Sequence, residues 1–139
     1  MPELNKKMII KSKPSSYDYS KSILIADDDR NILEPIQVLF NKYSFMVFKA
    51  EDGLKAWDLF NMENIDVVLT DILRPDSNVK ELCRRIRNHS PLVKIALMAY
   101  GGAVDAEKLQ NDGTADYYSP RPFNIKNICR ILIAETQVA

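Results

Sequence analysis

Ile65-Asp66-Val67-Val68-Leu69-Thr70-Asp71-Ile72-Leu73-Arg74-Pro75 is a short apolar run that ends on an aspartate, with a proline four residues later. A run of that length bounded by a breaker reads as a strand buried on both faces, the kind found in parallel sheets. Asp71 then stands at the carboxyl end of a strand. In open α/β sheets that edge is where ligands bind, because strand ends and the loops after them converge there.

Upstream, Ile23-Leu24-Ile25-Ala26 is a second such run, cut off by Asp27-Asp28-Asp29. Ile32, Leu33, Ile36, Leu39, Phe40 and Tyr43 follow at helical spacing with Asn31 as a cap, and Pro35 argues for a late or bent start of that helix. Phe45 to Ala50 reads as a strand, and Asp52-Gly53 introduces a helix carrying Leu54, Trp57, Leu59 and Phe60. Beyond Asp71 come a helix around Leu82, Cys83 and Ile86, a strand from Val93 to Ala99, and the pair Gly101-Gly102. A weakly apolar helix from about Ala103 to Asn111 precedes a last strand from Ala115 to Ser119. Pro120-Arg121-Pro122-Phe123 then leads into a final helix through Ile125, Ile128, Ile131 and Leu132, capped by Asn124. Strand and helix alternate five times. The fold class expected is α/β, a five-stranded parallel sheet with helices on both faces and right-handed crossovers.

The 139 residues, 46% of them hydrophobic, suffice for one core and one ordinary domain. Lysine and arginine (19) balance aspartate and glutamate (19), so no basic field argues for nucleic acid. Residues 1–21 carry Lys6, Lys7, Lys11, Lys13 and Lys21 against Glu3 and Asp18 and show no sustained apolar period. They read as a flexible basic tail, or as a docking arm for an acidic partner, ahead of a domain over residues 22–139. Cys83 and Cys129 lack the paired spacing of a zinc or redox site and read as two buried thiols in a reducing compartment. No apolar run reaches membrane-spanning length and the amino terminus has no apolar signal core, so the location expected is cytoplasmic.

With the first and third strands side by side, as doubly wound topologies place them, Asp27, Asp28 and Asp71 meet at one sheet edge. Like charges in so small a space raise one another's pKa or recruit a cation, and an all-oxygen site that keeps several waters suits Mg²⁺. A divalent ion beside an aspartate oxygen makes that carboxylate a feasible phosphoryl acceptor, since positioning and charge stabilisation supply most of the catalysis. Each part also has a plainer reading: Asp27 to Asp29 as an acidic loop capping the next helix, Asp71 as the start of a proline turn.

The sequence resembles the receiver domains of two-component response regulators over about Ser22 to Glu135. The resemblance is carried by Ile23-Leu24-Ile25-Ala26-Asp27-Asp28-Asp29, by Asp66-Val67-Val68-Leu69-Thr70-Asp71 with Pro75, by Ala50-Glu51-Asp52-Gly53, and by Arg121-Pro122-Phe123 in place of the usual Lys-Pro-Phe. It implies a flavodoxin-like (βα)5 fold and a domain that takes a phosphoryl group from a histidine kinase or phosphotransfer protein onto Asp71. It further implies that Asp28, Asp71 and the backbone carbonyl of Leu73 bind Mg²⁺ directly, with Asp27 acting through water. No enzymatic activity is implied beyond Mg²⁺-dependent transfer onto the domain's own aspartate. The partners implied are the phosphodonor and a downstream protein, with a second copy of the chain as a further candidate, and neither nucleic acid nor membrane.

Three departures from the family pattern, and one matching position, bear on function. Ala99 stands where the family has a Ser or Thr that grips the phosphoryl group. Arg121 replaces the lysine, keeping charge but offering a planar fork instead of a compact ammonium. The loop Pro75-Asp76-Ser77-Asn78-Val79 lacks the family's permissive glycine. Tyr118 occupies the place of a switch aromatic, or packs half-buried on the sheet edge. Two readings follow: a stand-alone receiver that accepts or relays phosphate, and a phosphorylation-independent interaction module with a muted switch. A third, an α/β phosphohydrolase, lacks an aspartate two positions after the nucleophile, where Leu73 stands. No stretch beyond the last helix offers an output domain, so the output expected is a protein contact.

Overall fold

The computed structural model describes residues 21–27, 30–71, 79–98, 103–119 and 125–137. In chain order these form β1 (Lys21–Ala26), α1 (Arg30–Lys42), β2 (Phe45–Ala50), α2 (Gly53–Met62), β3 (Val67–Asp71), α3 (Val79–His89), β4 (Lys94–Met98), α4 (Ala103–Asn111), β5 (Tyr117–Ser119) and α5 (Ile125–Gln137). The strands make one sheet of order β2-β1-β3-β4-β5, parallel throughout. The chain runs from β1 to β2 on one side and returns to β3 on the other. That change of direction opens a crevice at the carboxyl ends of β1 and β3.

Alternation along the strands divides the core in two. Ile23, Ile25, Val67, Leu69, Ala96 and Met98 point to one face, where Leu33, Ile36 and Phe40 of α1 and Cys129, Leu132 and Ile133 of α5 cover them. Leu24, Ala26, Val68, Ile95 and Leu97 point to the other, under Ala56 of α2, Leu82, Cys83 and Ile86 of α3, and Ala106 and Leu109 of α4. This is why the strand sequences are continuously apolar rather than alternating: both faces are buried. Cys83 and Cys129 are both buried free thiols, as their lone spacing suggested.

Local chemistry sets several element boundaries. Asp52 caps α2, its Oδ1 accepting the Lys55 amide at 2.8 Å. The α1–β2 turn closes with the Tyr43 and Ser44 amides on the Phe40 and Asn41 carbonyls, which puts Ser44 at φ 64. The α4–β5 turn uses Gly113 at φ 85, a conformation that costs a side-chain-bearing residue about 1–2 kcal/mol. At the amino-terminal sheet edge Arg87 binds four acceptors: Nε donates to the Thr114 carbonyl (3.1 Å), Nη1 to those of Pro91 (2.9 Å) and Val93 (2.8 Å), and Nη2 to Asp116 Oδ2 (2.7 Å). The same Asp116 oxygen accepts the Ile95 amide at 2.9 Å. This cluster ties α3 to the starts of β4 and β5.

Some expectations are corrected. The first helix starts early, at Arg30, so Asn31 lies inside it and is not its cap. The connection from β1 is only Asp27 to Asp29, and exposed Pro35 withholds one i→i−4 donor without ending the helix. Tyr43 falls in the turn after α1, and Leu54 (72% exposed) and Ile131 face outward, because neighbouring positions carry the buried stripes. The last strand is shorter than expected: Ala115 and Asp116 instead bond to Leu109 and Ile95 on the way in. Lys21, counted with the tail, pairs with Phe45 in β1. Residues 1–20, the Asn124 cap and the Gly101-Gly102 pair lie outside the described residues. Among the described residues no helix is long and apolar enough to cross a membrane.

Candidate functional site

Asp27 follows the last residue of β1, and its amide donates to the Ala50 carbonyl at 3.1 Å, prolonging the β1–β2 ladder by one step. Asp71 is the last residue of β3 and pairs with Met98 of β4. Because Ala26 pairs with Thr70, the next step of the same register sets Asp27 beside Asp71. Adjacent strands lie about 4.8 Å apart. Two-residue alternation from Ile25 and Leu69 turns both aspartates to the α1/α5 face of the sheet. The sequence placed these two carboxylates together, and the register brings them together.

The pair differs in environment. Asp27 is 3% exposed, whereas Asp71 is half-buried at the mouth of the crevice. A carboxylate removed from water beside a second one is costly to keep charged, and a cation or a set of donors must offset that cost. Hard carboxylate oxygens, one buried and one half-buried, fit a divalent ion such as Mg²⁺ that retains several waters. The described residues alone do not complete such a site: among them no group of three or more His, Cys, Asp or Glu side chains is gathered. Asp28, Leu73, Ala99 and Arg121, the other residues expected to contribute, lie outside the described residues.

Tyr118 is among the described residues. It pairs with Leu97 and packs half-buried against the cluster that contains Leu97 and Ile95. It therefore belongs to the opposite face of the sheet from Asp71, with Met98 and Ser119 occupying the row level with that aspartate. One neighbour of the site went unnoticed in the sequence: Thr70, 1% exposed, whose hydroxyl donates to the Asp71 carbonyl at 3.1 Å. Its signal was a lone hydroxyl in an otherwise apolar strand. Burial pushes both thiols, Cys83 and Cys129, up to about 12, so neither supplies a thiolate at neutral pH.

Comparisons with known proteins bear on the family and the fold. A family model described as the response regulator receiver domain matches residues 23–133. The response regulator GtcR of Aneurinibacillus migulanus is 32% identical over 114 residues, which are 81% of this chain and 46% of that protein. The response regulator MprA of Mycobacterium sp. (strain KMS) is 32% identical over 108 residues, 76% of this chain and 46% of the relative. The chain thus spans about half the length of the curated relatives it matches. Among solved structures, a CheY-like receiver domain protein from Methanospirillum hungatei JF-1 superposes with a TM-score of 0.74 at 23% identity, covering 83% of this chain and 92% of that one. A receiver domain protein from Clostridium thermocellum gives a TM-score of 0.70 at 26% identity over 83% of this chain and 92% of that one. With the fold, the strand-end aspartates and the matched span in agreement, the chain belongs to the response regulator receiver domain family of two-component signalling.

Proposed function

We propose that the domain accepts a phosphoryl group on Asp71 from the phosphohistidine of a histidine kinase or phosphotransfer protein and signals by protein contact. The observation that carries this reading is the juxtaposition of buried Asp27 with half-buried Asp71 at the β1/β3 crevice. An Asp71 carboxylate oxygen attacks phosphorus, the phosphorus–nitrogen bond breaks, and its electron pair returns to the imidazole. Asp27 and Asp28, with Asp71 and the Leu73 carbonyl, are the oxygens that would hold Mg²⁺. When bound, the ion supplies positive charge against the phosphoryl oxygens, where such transfers need it. Arg121 adds a second positive charge from the β5–α5 connection.

Ala99 makes the response of the rest of the domain weak. A hydroxyl at that position would give phosphate a hydrogen bond of the charged-acceptor kind, roughly 1.5–3 kcal/mol. A ligand shifts a conformational equilibrium only by its differential contacts, and each 1.4 kcal/mol or so is a tenfold change in population. Acceptance and switching are therefore separable here. The test is incubation with a small acyl phosphate and Mg²⁺ followed by intact mass measurement. One added phosphoryl group on the wild type and none on Asp71→Asn supports the reading; no uptake by the wild type refutes it, leaving a phosphorylation-independent interaction module.

A further inference from the structure

Thr70 is the one polar side chain in the run Val67-Val68-Leu69-Thr70 that leads to Asp71, and it is as buried as its apolar neighbours. It pairs with buried Ala26 on one side and buried Leu97 on the other, in the centre of the sheet. Valine has the same shape and suits a central strand at least as well. A hydroxyl in that setting costs free energy unless it is hydrogen-bonded. Its bond, at 3.1 Å, is to the carbonyl of Asp71, the next residue. That carbonyl belongs to the residue that carries the acceptor and is the point where the strand ends. Holding it holds the backbone rotation of Asp71 itself, and so the direction in which the carboxylate stands relative to Asp27.

We infer that Thr70 is a positioning residue for phosphoryl acceptance: its hydroxyl fixes the Asp71 backbone at the end of β3, so that the carboxylate stays beside Asp27. The inference rests on the reading of Asp71 as acceptor. Sequence position alone would assign Thr70 to the core, where its hydroxyl has no use. The hydrogen bond gives it one.

The test compares the full chain with Thr70→Val, Thr70→Ala and Thr70→Ser. Each is followed for initial phosphorylation rate against acyl phosphate and Mg²⁺ concentration, and for its urea midpoint. Both variants that lack the hydroxyl should phosphorylate roughly three- to tenfold more slowly, or require that much more Mg²⁺, the range one neutral hydrogen bond covers. Thr70→Ser should remain within about twofold of wild type, since it keeps the donor. A core role alone predicts the opposite ranking, with Val closest to wild type and Ser impaired. Wild-type kinetics in Thr70→Val, with Asp71→Asn inert, overturn the positioning role and leave the acceptor intact. Equal phosphoryl uptake by wild type and Asp71→Asn overturns the acceptor reading, and the role of Thr70 with it.

Discussion

Replacing Arg87 by methionine should destabilise the domain substantially while leaving its phosphoryl chemistry alone. The guanidinium makes four hydrogen bonds to three carbonyls and one carboxylate, drawn from segments up to 29 positions away. Methionine keeps much of the stem's apolar packing and removes every donor. Exposed ion pairs contribute about 0–1 kcal/mol, and breaking a buried one costs about 3–5. The Arg87 and Asp116 side chains are 18% and 30% exposed, between those limits, and Asp116 keeps the Ile95 amide. The loss expected is about 2–4 kcal/mol, a large part of the roughly 5–15 kcal/mol typical of a domain. Urea titration monitored by Trp57, the single tryptophan, gives this directly, provided the slope with denaturant is unchanged. Trp57 stands edge-on to His89 at 5.0 Å with Arg85 over its ring at 5.2 Å, so unfolding removes a defined environment. The Arg87 cluster lies at the amino-terminal sheet edge and Asp71 at the other. The phosphorylation rate of folded Arg87→Met should therefore match wild type. A loss under about 0.5 kcal/mol, or a slowed phosphorylation, would refute this assignment.

Gly113→Ala should cost about 1–2 kcal/mol by the same titration, because only φ 85 prevents an alanine there, with open space around the position. Burial holds the folded-state pKa of Cys83 and Cys129 near 12, above their unfolded values near 9. Their contribution to stability is therefore complete below about pH 9 and is lost progressively as pH rises toward 12, which denaturant midpoints across that range will register. At pH 8 a thiol reagent should label neither cysteine until the chain unfolds. Ala99→Thr should strengthen switching: amide shifts near Tyr118 and Lys126 on adding phosphodonor should grow toward those at Asp71. Shifts already equal in the wild type would contradict a muted switch.

Much of the fold was legible because the strands are buried on both faces and end on recognisable breakers. Phe45 to Ala50, the helix introduced by Asp52-Gly53 and the run ending on Asp71 stand where the sequence put them. The juxtaposition of Asp27 and Asp71 was expected from strand order, and the β1–β3 register sets them level. Asn31 misled because the short connection after β1, rather than capping preference, decides where α1 begins. Leu54 and Ile131 show that apolar residues at helical spacing need not all face the core. The Arg87 cluster was unreadable for another reason: Arg87 and Asp116 are joined only by tertiary packing, and no local pattern records it. Tyr118 matched a family position, but its facing depends on the β4–β5 register.

Mapping the phosphoryl group tests the central claim most directly. The wild-type chain, treated with acyl phosphate and Mg²⁺ and digested at low pH, should carry the modification on the peptide containing Asp71 and lose it when Mg²⁺ is chelated beforehand. Modification confined to a peptide without Asp71, or uptake that persists in Asp71→Asn, would contradict it.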